Sequence, residues 1–200
     1  MIDSVEALRL RYAQPKGRSL SKQLDRLDVH CTRFIALSPF VAVATGRPGA
    51  NMDCSPRGGA PGFVQVPDAR TLLIPDAIGN NRLDSMTNIV QTGRVGLLFL
   101  IPGVDETLRV NGSARLVDEA DKLAHFAHAA HAPKLAIEVA VEEAYLHCAK
   151  ALMRSKLWAP ESRNYRSVLP SMGKMLNDQT GTAAPAETQE QMVARYTADL

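Results

Sequence analysis

Alternating apolar and polar residues mark several short segments of the chain, and this pattern predicts a mainly β protein. Strands with this period of two bury one face and leave the other in water. The clearest segment is 106–117, and a Pro-Gly turn at residues 102–103 joins it in a hairpin to the apolar run at 95–101. Further strands are predicted at residues 40–45, 52–57, 63–66, 71–74 and 135–141.

Apolar residues spaced by three or four predict helices around these strands. They recur in this way over residues 20–37, and Pro39 ends that helix. A second helix covers residues 83–93, where Gly93 suits the C-cap position. Further helices are predicted at residues 3–11, 118–130, 142–157 and 187–198, with a linker at 177–186. About six strands, three or four helices and mostly antiparallel hairpins predict a mainly β, α+β fold, a small barrel with helices packed on its outside.

The composition is that of an ordinary globular domain. The 200 residues are 46% hydrophobic and 22% charged, and the formal net charge is +2. Such a chain has enough apolar residues for a core, and it lacks the positive excess of a general nucleic-acid-binding protein. The composition therefore predicts one folded domain, and it excludes both a disordered chain and nucleic acid as a general partner.

The lack of a visible secretory signal or membrane span, together with the cysteines, predicts a cytoplasmic protein with no membrane partner. The longest apolar run, residues 95–102, is far shorter than the roughly 20 residues of a membrane span. The first ten residues include Asp3, Glu6 and Arg9 instead of a basic stretch before an apolar block, so no secretory signal is visible. The cysteines number 3 and form no CxxC pair, which predicts reduced thiols.

The segment at residues 76–85 has the features of a phosphate site. It leaves a strand, turns through Gly79 and enters a helix with Asn80, Asn81 and Arg82 in its first turn. A helix N-terminus presents free N–H groups and a partial positive charge, and a guanidinium adds further donors. The alternative is that one asparagine merely caps the helix and that Arg82 is solvated.

A second polar segment covers residues 53–59. Ser55 and Arg57 alternate onto one face of a strand, and Pro56 between them favours an edge strand or a bulge. A serine and an arginine beside two glycines suit an anion, or a flat ring approached by the backbone. The alternative is a simple hairpin bend.

The third segment lies within the predicted helix at 142–157 and just beyond it. His147, Lys150, Arg154 and Trp158 share one helical face there. A cationic stripe that ends in the only tryptophan of the chain suits an anionic aromatic ligand. The alternative is a solvated face with Trp158 packed in the core.

Other chemistries find little support in the sequence. His125, His128 and His131 cannot all share a helix face, and no carboxylate or thiolate ligand lies near them, so no metal site is assigned. The chain has neither a GxSxG nucleophile elbow nor a GxGxxG or GxxxxGK[ST] nucleotide motif.

Taken together, the polar segments and strands resemble the pyridoxamine 5′-phosphate oxidase-like FMN-binding proteins, which have a split β-barrel fold. The resemblance covers about residues 30–160, and its motifs occur in the right order. Each motif is weak alone, and the ordered set is fairly specific. The residues that carry it are 53–59, 72–76, 79–89, 95–99, 106–112 and 147–151.

The resemblance implies an FMN-binding split-barrel domain at residues 39–160. Residues 1–38 would form an N-terminal helical segment that packs on the barrel, and residues 161–200 a C-terminal extension with a terminal helix. The family implies a homodimer that binds two FMN molecules in clefts between its subunits. We therefore expect a second copy of the chain and a small-molecule substrate as partners.

The resemblance also implies which residues bind FMN. Arg82 with Asn81 would hold the phosphate, Ser55 and Arg57 would run beside the flavin and its phosphate, and Asp76 would lie near the isoalloxazine or ribityl chain. The remaining contacts would come from a strand and from a C-terminal segment of the partner subunit. The full implied set is Ser55, Arg57, Asp76, Asn80, Asn81, Arg82, Thr107, Arg109, Lys150, Arg154 and Trp158.

The implied activity is that of an FMN-dependent oxidoreductase, with no catalytic residue assigned. The oxidases proper have an Arg-Leu-x-x-Arg element after their C-terminal tryptophan. Here Trp158 is followed by a stretch that keeps only Arg163, so the substrate is expected to differ from pyridoxamine phosphate. The alternatives are a flavin-binding or sensory module without turnover, a relative that binds deazaflavin or haem, and, more distantly, a metal enzyme that uses the histidines.

Overall fold

Seven antiparallel strands form one sheet in the computed structural model, which describes residues 1–198, the side chain of Ser19 excepted. They are β1 (Phe40–Thr45), β2 (Asp53–Gly58), β3 (Gln65–Asp68), β4 (Thr71–Pro75), β5 (Arg94–Leu100), β6 (Thr107–Val117) and β7 (Ala136–His147). Their order in the sheet is β2-β1-β5-β6-β7-β4-β3, so β2 and β3 are the edge strands. With flanking helices, this is a mainly β, α+β fold, as the sequence predicts, and it agrees with the split barrel that the resemblance implies.

Helices flank the sheet and continue the chain beyond it. Those in the first half are α1 (Val5–Arg9), α2 (Arg18–Ser21), α3 (Val29–Leu37) and α4 (Asp84–Thr92). Those in the second half are α5 (Ala120–Leu123), α6 (Lys150–Ser155), α7 (Met172–Thr180) and α8 (Gln189–Thr197), with 3-10 turns at Ala124–Phe126, Pro160–Ser162 and Arg166–Val168. No helix within residues 1–198 is long and apolar enough to cross a membrane.

One core joins the inner face of the sheet to two helices. Val41, Leu97 and Val110 come from neighbouring strands and are fully or almost fully buried. Ile35 of α3 and Ile89 of α4 belong to the same cluster. Burial of such side chains stabilises each by about 1.5–3 kcal/mol, so α3 and α4 are fixed firmly against the strands.

The strand β7 is longer than the sequence pattern indicates. The predicted helix at 142–157 is wrong over its first part, because residues up to His147 pair with β6. A bulge between Asn111 and Gly112 shifts the register there. Gly112 permits the close approach of the strands, since a Cβ at this position would overlap the carbonyl oxygen of Ala140.

The predicted helix at residues 20–37 is also wrong in its first half. Local hydrogen bonds explain the break: Asp28 caps α3 by accepting from the N–H of Cys31 at 2.8 Å. Upstream of this cap, Leu24 forms an isolated bridge with Ala144 of β7. The N-terminal segment therefore adds one residue of pairing to the sheet before α3 begins.

Two further segments differ from the prediction. The helix expected at 118–130 is limited to α5 and one 3-10 turn. The linker expected at 177–186 begins only at Gly181, which ends α7 in a left-handed conformation with φ 67°. Ser171 starts α7 by accepting from the N–H of Lys174 at 3.2 Å. Local caps therefore define this helix, and the predicted terminal helix corresponds to α8.

Candidate functional site

The carboxylate of Asp53 is the centre of a polar network between β1, β2 and α4. It accepts from Ser55 Oγ at 3.0 and 3.1 Å and from Ser85 Oγ at 2.5 Å. Thr45 Oγ1 lies 3.4 Å from Asp53 and accepts from Asn88 Nδ2 at 3.0 Å. Thr45, Ser85 and Asn88 are buried. The network therefore fixes the first turn of α4 against the edge strand β2.

Arg57 lies on the same face of β2 as Asp53 and Ser55, because side chains two residues apart in a strand point to the same side. Its Nη1 donates to the carbonyl oxygen of Pro56 at 3.2 Å. Its Nε is buried and has no hydrogen-bond partner within the described part of the chain. A buried donor of this kind is destabilising unless an acceptor reaches it, so Arg57 is ready for an anionic or carbonyl ligand.

The loop before α4 has unusual backbone geometry. Asn81 and Leu83 have φ angles of 58° and 57°, a left-handed conformation that is uncommon in residues other than glycine. Leu83 occupies the N-cap position, and no side chain caps the helix there. The first N–H groups of α4 are therefore left for other acceptors. Such strain is typical of ligand sites.

Arg82 extends from this loop into solvent. Its side chain is 74% exposed, and its Nε donates to Asp84 at 2.9 Å. The hydrogen bond to the Asp84 carboxylate raises the pKa of the guanidinium above its usual value, and the charges of Asp84 and Asp53 add to this effect. The backbone N–H of Arg82 donates to Asn80 Oδ1 at 3.1 Å. Arg82 is thus a charged group close to the network around Asp53.

Asp76 and Asn81 lie together beside α4. They line a cavity of about 470 Å³ with Met86, Thr87 and Val90 of that helix and with Leu116 of β6. Ser85, one residue from Met86, points instead into the network around Asp53. Neighbouring residues of a helix face different ways, so the cavity beside Met86 and the network beside Ser85 lie on different sides of α4. Asp76 is therefore separated from Ser55 by this helix.

A second group of predicted site residues lies where β6 begins and β7 ends. Thr107 pairs with His147, and Arg109 pairs with Tyr145. Arg109 Nη1 donates to the hydroxyl oxygen of Tyr145 at 2.9 Å. The sequence prediction assigned His147 to a helix face, but His147 is the last residue of β7.

The α6 segment contributes the other predicted residues. Lys150 and Arg154 are exposed, and neither forms an ion pair within residues 1–198. Trp158 is half-buried, and its Nε1 donates to the carbonyl oxygen of Val104 at 2.9 Å. Trp158 thereby holds the end of this segment on the β5–β6 connection.

The two groups face opposite sides of the sheet. Arg57 pairs with Val41, Val41 with Phe99, and Phe99 with Leu108. Directly paired residues share a face, so Arg57 is on the side of Leu108, whereas Arg109 points to the other side. Two strands, β1 and β5, also separate β2 from β6. One chain therefore does not bring Ser55, Arg57 and Arg82 into one pocket with Thr107 and Arg109.

Comparison with known proteins gives the family of the chain. A sequence model described as pyridoxamine 5′-phosphate oxidase matches residues 27–148, more than half of the 200 residues. The chain belongs to this family. Its match includes β1 to β7 with the network around Asp53, and it ends before Lys150, Arg154 and Trp158. Comparison with curated proteins gives no match.

Solved structures similar to this family member have low sequence identity. HupZ from Group A Streptococcus is 15% identical, and the alignment covers 60% of this chain and 93% of HupZ with a TM-score of 0.50. An FAD binding protein from Mycobacterium smegmatis is 17% identical over 62% of this chain and 97% of its own, with a TM-score of 0.44. An FMN-binding protein from Syntrophomonas wolfei is 10% identical over 58% and 81%, with a TM-score of 0.43. At 15% identity, the HupZ match supports the fold alone.

Several residues of the site were missed by sequence reasoning. Ser85 and Asn88 are polar residues spaced by three on the buried face of α4, and this spacing is the signal that was available. Asp53 lies within the motif that marks the family, but its role depends on contacts 32 residues away. Lys22, whose Nζ donates to the carbonyl oxygen of Leu146 at 2.7 Å, had no signal in the sequence, because its contact spans 124 residues.

Proposed function

We propose that this protein is an FMN-binding flavoprotein with oxidoreductase activity, working as a homodimer with FMN at the subunit interface. The observation that carries the proposal is the buried Nε of Arg57, which lacks a partner among the described residues. The helix α4, which is bound to the same strand through Ser85 and Asp53, begins without a side-chain cap. An oxygen-rich anionic cofactor supplies acceptors for both. Family membership and the fold support a flavin as that cofactor.

The phosphate of FMN would bind at the loop before α4. Arg82, Asn80, Asn81 and the first N–H groups of the helix provide donors there. Ser55 and Arg57 would continue the site along β2. Asp53 itself is an anion, so we place it behind these donors, where it orients Ser55 and Ser85 and does not touch the phosphate.

The flavin ring would lie between this surface and a second subunit. Thr107 and Arg109 face away from Arg57 within one chain, so they would complete the site only from a partner chain. Lys150, Arg154 and Trp158 would join them there, as the resemblance implies. A two-fold dimer with one interface would form two such sites. Asp76 would contact the ribityl chain or ring from the cavity that it shares with Asn81.

A bound flavin would supply hydride and electron transfer. The role of the protein would be to hold the flavin ring and to place positive charge near it. Arg109, Lys150 and Arg154 would favour the anionic reduced state of the flavin. We assign no catalytic acid or base. The substrate would be a small molecule other than pyridoxamine phosphate, because only Arg163 remains of the family element after Trp158.

The domain organisation and location form part of the same proposal. Residues 39–160 would be the flavin-binding domain, with an N-terminal segment at 1–38 and an extension at 161–200. A cytoplasmic location rests on the odd number of cysteines, 3, in the sequence.

The test is whether the purified protein carries FMN. We expect a yellow protein whose absorption is that of an oxidised flavin and which releases FMN on denaturation. Arg82→Ala should raise the Kd for FMN at least about tenfold and so lower the FMN content of the purified protein, since a charge-assisted hydrogen bond contributes about 1.5–3 kcal/mol. Arg26→Ala is the matched control, because Arg26 is also exposed and, among the described residues, its ion-pair partner is Asp25 at 3.4 Å.

Two results would overturn this proposal. A haem spectrum, or unchanged FMN occupancy in Arg82→Ala, contradicts the assignment of cofactor or site. Turnover is tested separately by anaerobic addition of NADPH or NADH. Bleaching of the flavin supports an oxidoreductase, and a flavin that no donor reduces favours a binding module.

A further inference from the structure

Four side chains with donor groups gather around the end of β7. Lys22 Nζ lies 5.2 Å from the ring centre of Tyr145, and Arg109 Cζ lies 5.8 Å from it. The ring of His147 lies 4.8 Å from the same ring, centre to centre. We call Lys22, Arg109, Tyr145 and His147 the Tyr145 cluster.

The backbone places each member of this cluster. Arg109 is directly opposite Tyr145 in the β6–β7 ladder, and His147 is two residues further along the same strand. Lys22 arrives from the N-terminal segment, because Leu24 and Ala144 exchange two backbone hydrogen bonds of 3.0 and 2.9 Å. The cluster is therefore organised by strand pairing before any ligand binds.

The positive charges of the cluster lack counter-ions. Neither Lys22 nor Arg109 forms an ion pair with a carboxylate in the described chain, residues 1–198. The next outward-facing carboxylate on β7, that of Glu143, accepts from Asn111 Nδ2 at 2.9 Å. Burial lowers the pKa of His147, and the charges of Arg109 and Lys22 lower it further.

The hydrogen bonds already made leave donors free. Lys22 Nζ uses one donor on the carbonyl oxygen of Leu146, so two of its three remain. Tyr145 accepts from Arg109 through its hydroxyl oxygen, which leaves its own O–H to donate. An anion in contact with these donors would offset the repulsion among the cations and accept several charge-assisted hydrogen bonds.

We propose that the Tyr145 cluster binds the carboxylate or phosphate group of an anionic substrate. This inference rests on the proposed function, in which Arg109 lies beside the flavin that a partner subunit holds. The cluster then fixes the charged end of the substrate while the rest of the molecule reaches the ring. The class of substrate is a small organic acid or phosphate ester.

The experiment uses inorganic phosphate as the probe and NMR of the His147 ring proton as the readout, on the full chain. Phosphate should raise the pKa of His147 and shift its signal saturably. Lys22→Gln and Tyr145→Phe should each weaken phosphate binding by about tenfold. Lys174→Gln is the matched control: Lys174 is an exposed lysine of α7 paired with Asp178, and this variant should bind phosphate as the wild type does.

The outcomes separate this inference from the flavin proposal. Protein without FMN and protein loaded with FMN should give the same phosphate response, because the two anions use different donors. A response that disappears on FMN loading would overturn the inference, since the cluster would then hold the phosphate of the cofactor. No response of His147, or an equal response in Lys22→Gln, would also overturn it. Loss of FMN binding in Arg82→Ala with an intact phosphate response supports both proposals.

Discussion

The hydrogen bond from Ser85 to Asp53 links the first turn of α4 to β2. A variant that lacks this hydrogen bond therefore tests the structure of the site directly. Ser85 is 2% exposed, and its Oγ lies 2.5 Å from Asp53 Oδ2. The substitution Ser85→Ala removes one donor to a charged acceptor and leaves the packing nearly unchanged. A hydrogen bond to a charged group contributes about 1.5–3 kcal/mol to stability.

The remaining hydrogen bonds of Asp53 limit the loss of stability expected for Ser85→Ala. Asp53 keeps Ser55 at 3.0 and 3.1 Å and Thr45 at 3.4 Å, so its carboxylate is not left without donors in the variant. We therefore expect a loss near the middle of the range, about 2 kcal/mol. For a chain of this length, the loss corresponds to a Tm lower by about 4–8 °C. Ser55→Ala, at a half-buried position, should cost about 1 kcal/mol.

Urea unfolding followed by circular dichroism measures both variants. The order of effects is the critical point: Ser85→Ala should destabilise more than Ser55→Ala, and Asp53→Ala more than either, because three hydroxyl groups lose their acceptor. Equal stability of Ser85→Ala and the wild type would refute the network as a fixed part of the fold. FMN occupancy of Ser85→Ala should fall as well, since the helix N-terminus is no longer held against β2.

Two more predictions concern the sheet and the pH dependence of stability. Gly112→Ala should lower the free energy of unfolding by about 3 kcal/mol, because the added Cβ would overlap the backbone of Ala140. Gly79→Ala is the control: the nearest heavy atom to its Cβ is at 3.8 Å, so it should change the free energy of unfolding by less than about 0.5 kcal/mol. Similar losses for the two variants in urea unfolding would contradict this account. His147 has a folded-state pKa below the usual 6.5, owing to burial, Arg109 and Lys22, so the unfolded chain binds the proton more readily and stability should fall as the pH drops below about 6.5. His147→Gln should reduce this fall between about pH 7.5 and 5.5, and an unchanged fall would show that other groups cause it.

Local signals predicted much of the fold. Alternation, apolar runs and turn residues located at least part of every strand of the sheet, and Gly93 ends α4 in a left-handed conformation with φ 61°, as a C-cap glycine should. The end of β7 was hidden because Glu142 and Glu143 break the alternation. Asn111 and Gly112 of β6 pair with Glu143 and Val141, so Glu142 is an extra, unpaired residue of β7 at the bulge.

The N-terminal segment shows a different limit. Leucines at 20, 24 and 27 match a helical period, yet Leu24 pairs with Ala144 and the N–H of Leu27 donates to the carbonyl oxygen of Ala69 at 2.7 Å. These contacts join residues that are far apart in the chain, so no local pattern reports them. Asp28 as the cap of α3 was a readable signal.

The sequence could name candidate residues for the site, but it could not give their arrangement. Ser55 donates to Asp53, Arg57 shares its face of β2, and Arg82 precedes α4, but the role of these residues in binding a cofactor stays a prediction. Arg109 faces the other side of the sheet, a fact that depends on the order of the strands and on register. Because β1 and β5 lie between β2 and β6, the proposed site needs β6 from a second subunit.

The central claim is that each flavin site combines β2 and α4 of one chain with β6 and α6 of another. The most direct test co-expresses Arg57→Ala/Arg82→Ala and Arg109→Ala/Arg154→Ala chains with different tags and isolates the mixed dimer. Each variant alone should bind almost no FMN. The mixed dimer contains one intact site and one doubly damaged site, so it should bind about one FMN, half the wild-type content. A mixed dimer without FMN, or a protein that binds FMN as a monomer, would contradict the account.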